Sequence, residues 1–181
     1  MFNPYEYFKG KNVLLIGNGE KLSDINYDNY NSIVRMNLGI HDSPCHVWIN
    51  NLVNEGHNKL KEIPRIQNIV RLNFEKDGKR AERMPDWVKK KAWLWNKEEY
   101  NLMIQIYNYP RPTTGFVSIY WLLNYCNCKV TITAFDFFKT KNRYTMEDTN
   151  HIGTPKGYNH DVELEEEVIT KLIQRGIINA L

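Results

Sequence analysis

Four consecutive apolar residues, Val13 to Ile16, run directly into Gly17-Asn18-Gly19. A short unbroken apolar run suits a strand covered on both faces, and such strands belong to parallel sheets flanked by helices. The glycines after it fit a tight turn at the strand's carboxyl end, where an α/β fold receives its ligands. Further short β-branched or apolar runs at residues 32–36, 46–49, 68–72 and 130–135 are separated by polar or proline-containing connections. Between the last two, residues 85–107 carry mixed helical periodicity interrupted at Asn96. Pro110-Arg111-Pro112 then breaks the chain. Thr113-Thr114 precedes the apolar run 116–125, so a threonine stands where a helix N-cap is wanted. Residues 162–178 approximate one helical face through Val162, Val168, Ile169, Leu172 and Ile173. The expectation is α/β: a single Rossmann-like nucleotide-binding domain over residues 1–181, with a mostly parallel sheet flanked by helices.

The chain has 181 residues, enough for one ordinary core, and 42% hydrophobic against 25% charged residues excludes a disordered chain. A net charge of +3 sets up no global field that demands nucleic acid. The densest basic stretch, Lys79, Arg80, Arg83, Lys89, Lys90 and Lys91, is interleaved with Trp87, Trp93 and Trp95. It is either a solvated face with aromatic anchors or a docking surface for an acidic partner or membrane. Cys45, Cys126 and Cys128 are odd in number and form no C-x-x-C pair, which fits a reducing compartment and argues against structural zinc. With no apolar run near the length that spans a bilayer and no leader-like start, the expected location is the cytoplasm.

Four places carry chemistry. Gly17, Asn18 and Gly19 let backbone approach a nucleotide, although a tight turn without ligand uses the same glycines. Asn37 ends the second run, where its amide suits a ribose, base or phosphate; the alternatives are a helix cap or Asx turn, with the neighbouring Arg35 a surface charge. Thr113, Thr114 and Gly115 open a helix and offer hydroxyls and amides at the positive end of its dipole, for a phosphate or simply as a cap. His160 stands five residues before Glu165 at the mouth of the last helix, suited to removing a proton from a hydroxyl. Residues 139–159 are polar, rich in Gly, Thr and Asn, and long enough for a functional loop.

In this order the pieces resemble the sialyltransferases. Val13-Leu-Leu-Ile-Gly-Asn-Gly19 with Ile33-Val-Arg-Met-Asn37 looks like the two ends of the large motif of glycosyltransferase family 29. Arg111-Pro-Thr-Thr-Gly115, the apolar helix and Val130-Thr-Ile-Thr-Ala-Phe-Asp136 look like its small motif. His160-Asp-Val-Glu-Leu-Glu165 matches its H-x4-E pattern. The resemblance implies a variant GT-A fold. It also implies contacts to a CMP-sugar from Gly17, Asn18, Gly19, Asn37, Thr113, Thr114, Gly115 and Asp136, with His160 as base and Glu165 orienting it. Similarity to the bacterial family 42 enzymes implies that Tyr144 steadies the departing phosphate, while Phe137-Phe138 lacks the hydroxyl those enzymes carry after their Asp-Phe. His151 is the candidate for a second histidine. The cysteine that would bridge the two motifs is absent near Gly17, and residues 50–108 match nothing in the family.

The activity implied by the resemblance is an inverting transfer of sialic acid, or a related nonulosonic acid such as Kdo or pseudaminic acid, from CMP to a glycan or glycolipid hydroxyl. The donor is a co-substrate, no cofactor is required, and no metal is expected because the chain lacks a D-x-D pair. The competing expectation is a nucleotide-binding module without catalysis.

Overall fold

The computed structural model describes residues 2–19, 24–41, 44–52, 66, 68–72, 84–109, 111–139 and 160–181. Seven strands among them form one sheet: β1 (Asn12–Ile16), β2 (Ser32–Met36), β3 (Val47–Ile49), β4 (Ile69–Arg71), β5 (Ala92–Leu94), β6 (Lys129–Thr133) and β7 (Asn179–Ala180). Their spatial order is β5-β4-β3-β2-β1-β6-β7, and every pairing is parallel. The helices are α1 (Pro4–Phe8), α2 (Asp86–Lys89), α3 (Lys97–Tyr107), α4 (Thr114–Tyr125) and α5 (Val162–Gln174), with 3-10 turns at Tyr27–Asn29 and Asn37–His41.

Strand alternation divides the core. Val13, Leu15, Val34, Met36, Val47, Ile49, Val70 and Leu72 point to one face, where they pack with Trp95, Met103, Trp121, Leu122 and Ile169. Leu14, Ile16 and Ile33 point to the other, against Ile25, Tyr27 and Tyr30. Trp48 and Ile69 share a separate cluster with Met84 and Val88. Burial on both sides is why these strands are written as continuous apolar runs rather than as an alternation.

Arg35, for which a surface charge is one of the expectations, is fully buried in β2, and its Nε donates to the Pro44 carbonyl at 2.8 Å. Arg71 is equally buried and ties the chain after β3, donating to the carbonyls of Asn50 and Leu52 at 3.2 and 3.0 Å. A guanidinium tolerates such a position because its donors are satisfied by backbone oxygens.

Two edge strands, β5 and β7, are not among the expected ones. β5 is the apolar run Ala92-Trp93-Leu94 inside the stretch read as helical; it is half covered, with Trp93 edge-on to Tyr5 at 5.1 Å between ring centroids, whereas β7 is exposed. The last helix stops at Gln174 rather than Ile178, with Gly176 in the left-handed region (φ 65°), which frees residues 179–180 to pair with β6. Ile173, expected on the packed face, is exposed. The β6 ladder likewise ends at Thr133, because Ala134 turns to φ 58°. Between β1 and β2, residues 20–23 lie outside the described residues; within the rest the turn Tyr27–Asn29 forms. No helix among the described residues is long and apolar enough to cross a membrane.

Candidate active site

Strand order reverses at β1 and β6, so a crevice is expected beyond their carboxyl ends. There Gly17-Asn18-Gly19 meets the segment that leaves β6. Gly17 N–H donates to the Thr133 carbonyl at 2.8 Å and Gly19 N–H to that of Ala134 at 3.0 Å. A Cβ on Gly17 would lie 2.2 Å from the Ala134 oxygen, and one on Gly19 2.6 Å from Asp136 Cγ. Neither glycine has a positive φ. These glycines are therefore required by the approach of the chain's own backbone. Gly17→Ala is expected to cost about 1–3 kcal/mol, the range for overpacking, because the obstructing atoms are main chain and cannot rotate away. Urea unfolding of the variant measures this.

Asn18 keeps an open acceptor in this crevice: its Oδ1 is buried without a hydrogen-bond partner among the described residues. Asn37 is differently employed. It sits in the left-handed region (φ 47°), its Oδ1 accepts from Asn51 N–H at 3.0 Å, and its Nδ2 donates to Thr114 Oγ1 at 3.3 Å. Asn51 Nδ2 reaches the same hydroxyl at 3.4 Å, and Asn51 Oδ1 accepts from Leu72 N–H at 3.0 Å. The two asparagines thus lace the ends of β2, β3 and β4 to the start of α4. Asn51 went unremarked in the sequence, where one amide in an Asn-rich stretch carries no distinguishing mark.

The threonine turn is held from behind. Thr113 caps α4, accepting from Phe116 N–H at 3.1 Å. Its own N–H and hydroxyl donate to the Glu165 carboxylate at 2.6 Å each, and Tyr109 O–H donates to the same group at 2.8 Å. Glu165 thus sets its carboxyl group at the positive end of the α4 dipole. Gly115 packs on Phe135, whose ring would stand 2.7 Å from an added Cβ.

Burial raises the Glu165 carboxyl above its ordinary 4.5, while the hydrogen bonds from Thr113 and Tyr109 pull the other way. The folded state then holds this proton more tightly than the unfolded chain does. The group's contribution to stability is accordingly fully present below 4.5 and lost as pH rises through the raised folded value. The stability difference between wild type and Glu165→Gln, measured by denaturant titration across pH, is expected to fall over that window and flatten above it.

His160 is half-buried one residue before the α5 N-cap Asp161, and its Nδ1 lies 2.6 Å from the Arg111 carbonyl. Its ring stacks on Phe138 with centroids 6.3 Å apart and planes 9° from parallel. Phe137 and Phe138 both have positive φ, at 52° and 61°; with Ala134 they make three left-handed non-glycine residues in five, an uncommon density. Strain of this kind gathers where side chains must be aimed. Asp136 organises the segment, its Oδ1 accepting from Phe138 N–H at 3.2 Å. Of the remaining candidates, Tyr144 and His151 lie outside the described residues, as do Lys79, Arg80 and Arg83 of the basic stretch.

The structure thus gathers Gly17, Asn18, Gly19, Asn37, Thr113, Thr114, Gly115, Asp136, His160 and Glu165 at one edge of the sheet. No protein-family model and no curated protein matches the sequence. Among solved structures, a mammalian sialyltransferase in complex with Gal-beta-1-3GalNAc-ortho-nitrophenol superposes with a TM-score of 0.63 at 15% identity, over 98% of this chain and 71% of that one. A second mammalian sialyltransferase structure gives 0.61 at 15% identity, over 95% and 69%. The fold is sialyltransferase-like.

Proposed function

We propose that this chain is an inverting glycosyltransferase of the sialyltransferase type. It would move sialic acid, or a related nonulosonic acid, from its CMP conjugate to the hydroxyl of a glycan or glycolipid. The observation that carries the reading is the 2.6 Å contact between His160 Nδ1 and the Arg111 carbonyl. A carbonyl only accepts, so Nδ1 bears the proton of the neutral ring and Nε2 retains its lone pair. That is the tautomer a general base needs.

In the proposed step Nε2 takes the acceptor hydroxyl's proton while the oxygen attacks the anomeric carbon from the face opposite CMP. The carbon–oxygen bond to the phosphate breaks, CMP leaves with the electron pair, and the configuration inverts. The Arg111 carbonyl stabilises the resulting imidazolium. Asn18 and the Thr114 and Gly115 amides of α4, which lie ahead of the first intrahelical bond and are not taken by the Thr113 cap, are assigned to the nucleotide. Tyr144 and His151 are assigned to the charge that develops on the leaving phosphate. Glu165 is assigned to the support of the turn. A monophosphate leaving group needs less charge compensation than a diphosphate, and the sequence has no D-x-D pair, so the transfer is assigned no metal. All three cysteines are free thiols, in keeping with action in a reducing cytoplasm.

Thermal shift with CMP, CDP, UDP, GDP and NAD tests the donor class. The expected result is selective stabilisation by CMP, and stabilisation by NAD alone would overturn the reading. Transfer from CMP-sialic acid, CMP-Kdo and CMP-pseudaminic acid identifies the sugar. Its rate is expected to be unchanged by EDTA, with or without added Mg or Mn. CMP binding without turnover of any of the three would leave a binding module in place of an enzyme.

A further inference from the structure

We infer that Tyr109 is a positioning residue for the base of the transfer proposed above, an inference that rests on that reading. Its buried hydroxyl stands between the segment that carries His160 and the segment that supplies the partner of His160. It accepts from Asp161 N–H at 2.8 Å and donates to Glu165 Oε1 at 2.8 Å. Two residues further along, the Arg111 carbonyl holds His160 Nδ1. Segments 109–111 and 160–161 are thus joined twice, once through main chain at Asp161 and once through the imidazole itself.

The intervening chemistry makes Tyr109 the natural anchor. Arg111 stands between Pro110 and Pro112, neither of which has an N–H to tie the segment by main chain, and the proline after it confines Arg111 to extended backbone. Asp161 caps α5, and its N–H falls outside the helix ladder; the tyrosine hydroxyl is the acceptor it finds. The Tyr109 ring is itself fixed edge-on against Phe116 of α4, with centroids 5.9 Å apart at 75°. Burial and the adjoining carboxylate raise its pKa, so the hydroxyl stays protonated and keeps both bonds at neutral pH. No pattern in the chain marks this role, because Tyr109 is one of eleven tyrosines and stands just ahead of the marked residues 110–115.

Tyr109→Phe keeps the ring and removes only the hydroxyl. The expected result is a kcat reduced roughly ten- to a hundredfold, the scale of a small misplacement of a catalytic group, with the donor KM unchanged. Long-range proton–nitrogen correlation spectra of the His160 imidazole are expected to show the Nδ1–H tautomer in wild type and a mixture in the variant. In a His160→Ala background, Tyr109→Phe is expected to leave residual transfer unchanged while lowering stability as much as it does alone. An unchanged kcat with an unchanged tautomer overturns the inference, as does an equal fold-loss of transfer in the His160→Ala background. If wild type transfers no CMP-sugar, the reaction reading falls and the inference falls with it; if wild type transfers and the variant matches it, only the role of Tyr109 falls.

Discussion

His160→Ala is expected to lower transfer by about a hundred- to ten-thousandfold, the usual contribution of a positioned general base, while CMP affinity is retained. The two readouts separate because they belong to different parts of the edge. The nucleotide is assigned to Asn18 and the start of α4. The imidazole instead hangs from the Arg111 carbonyl and the ring of Phe138. His160→Gln is the more demanding comparison, since it keeps a hydrogen-bonding side chain and loses the basic nitrogen; it is expected to be as inactive as the alanine variant. Transfer assayed beside CMP titration calorimetry checks both, and a variant that turns over at the wild-type rate would remove His160 from the mechanism.

Glu165→Ala is expected to be the most destabilising change at the site, by about 3 kcal/mol or more, because three neutral donors are left without their acceptor. Three donors lose their acceptor together: Thr113 N–H, Thr113 O–H and Tyr109 O–H. Each unsatisfied buried group costs about 1–3 kcal/mol. Glu165→Gln preserves the volume and one acceptor and should lose distinctly less. Thermal or urea denaturation ranks the pair. Equal stability of Glu165→Ala and wild type would show that the carboxylate does not hold the turn.

The sequence announced those parts of the fold whose cause is local. β1 and β2 are legible because burial on both faces demands consecutive apolar residues, and Thr113 is legible because a cap needs a short side-chain oxygen just before a helix. β5 is not, because three apolar residues between a lysine run and the next helix fit a helical stretch as well as a strand, and β7 is not, because its two residues are exposed and only the β6 ladder defines it. The site shows the same division. Its residue types pointed to one sheet edge, but not to who holds whom. The glycines looked like room for a ligand and serve the close passage of residues 134–136. Glu165 stood out by its spacing from His160, which says nothing of its bonds to Thr113 and Tyr109; its place four residues before the buried Ile169, on the same face, is the one local sign of its burial. Tyr109 and Asn51 act wholly through tertiary partners, which no spacing encodes.

The placement of β1 between β2 and β6 also has a kinetic consequence. β2 comes soon after β1 in the chain, whereas Asn12 must find Lys129 across most of the sequence. Closing so long a loop is slow because its entropy is spent before any contact rewards it. The β1–β6 crevice does not exist until that pairing forms, and the α5 segment packs on the same late-formed surface. Refolding followed by CMP binding should therefore lag refolding followed by helix content, with competence recovered only in the slowest phase.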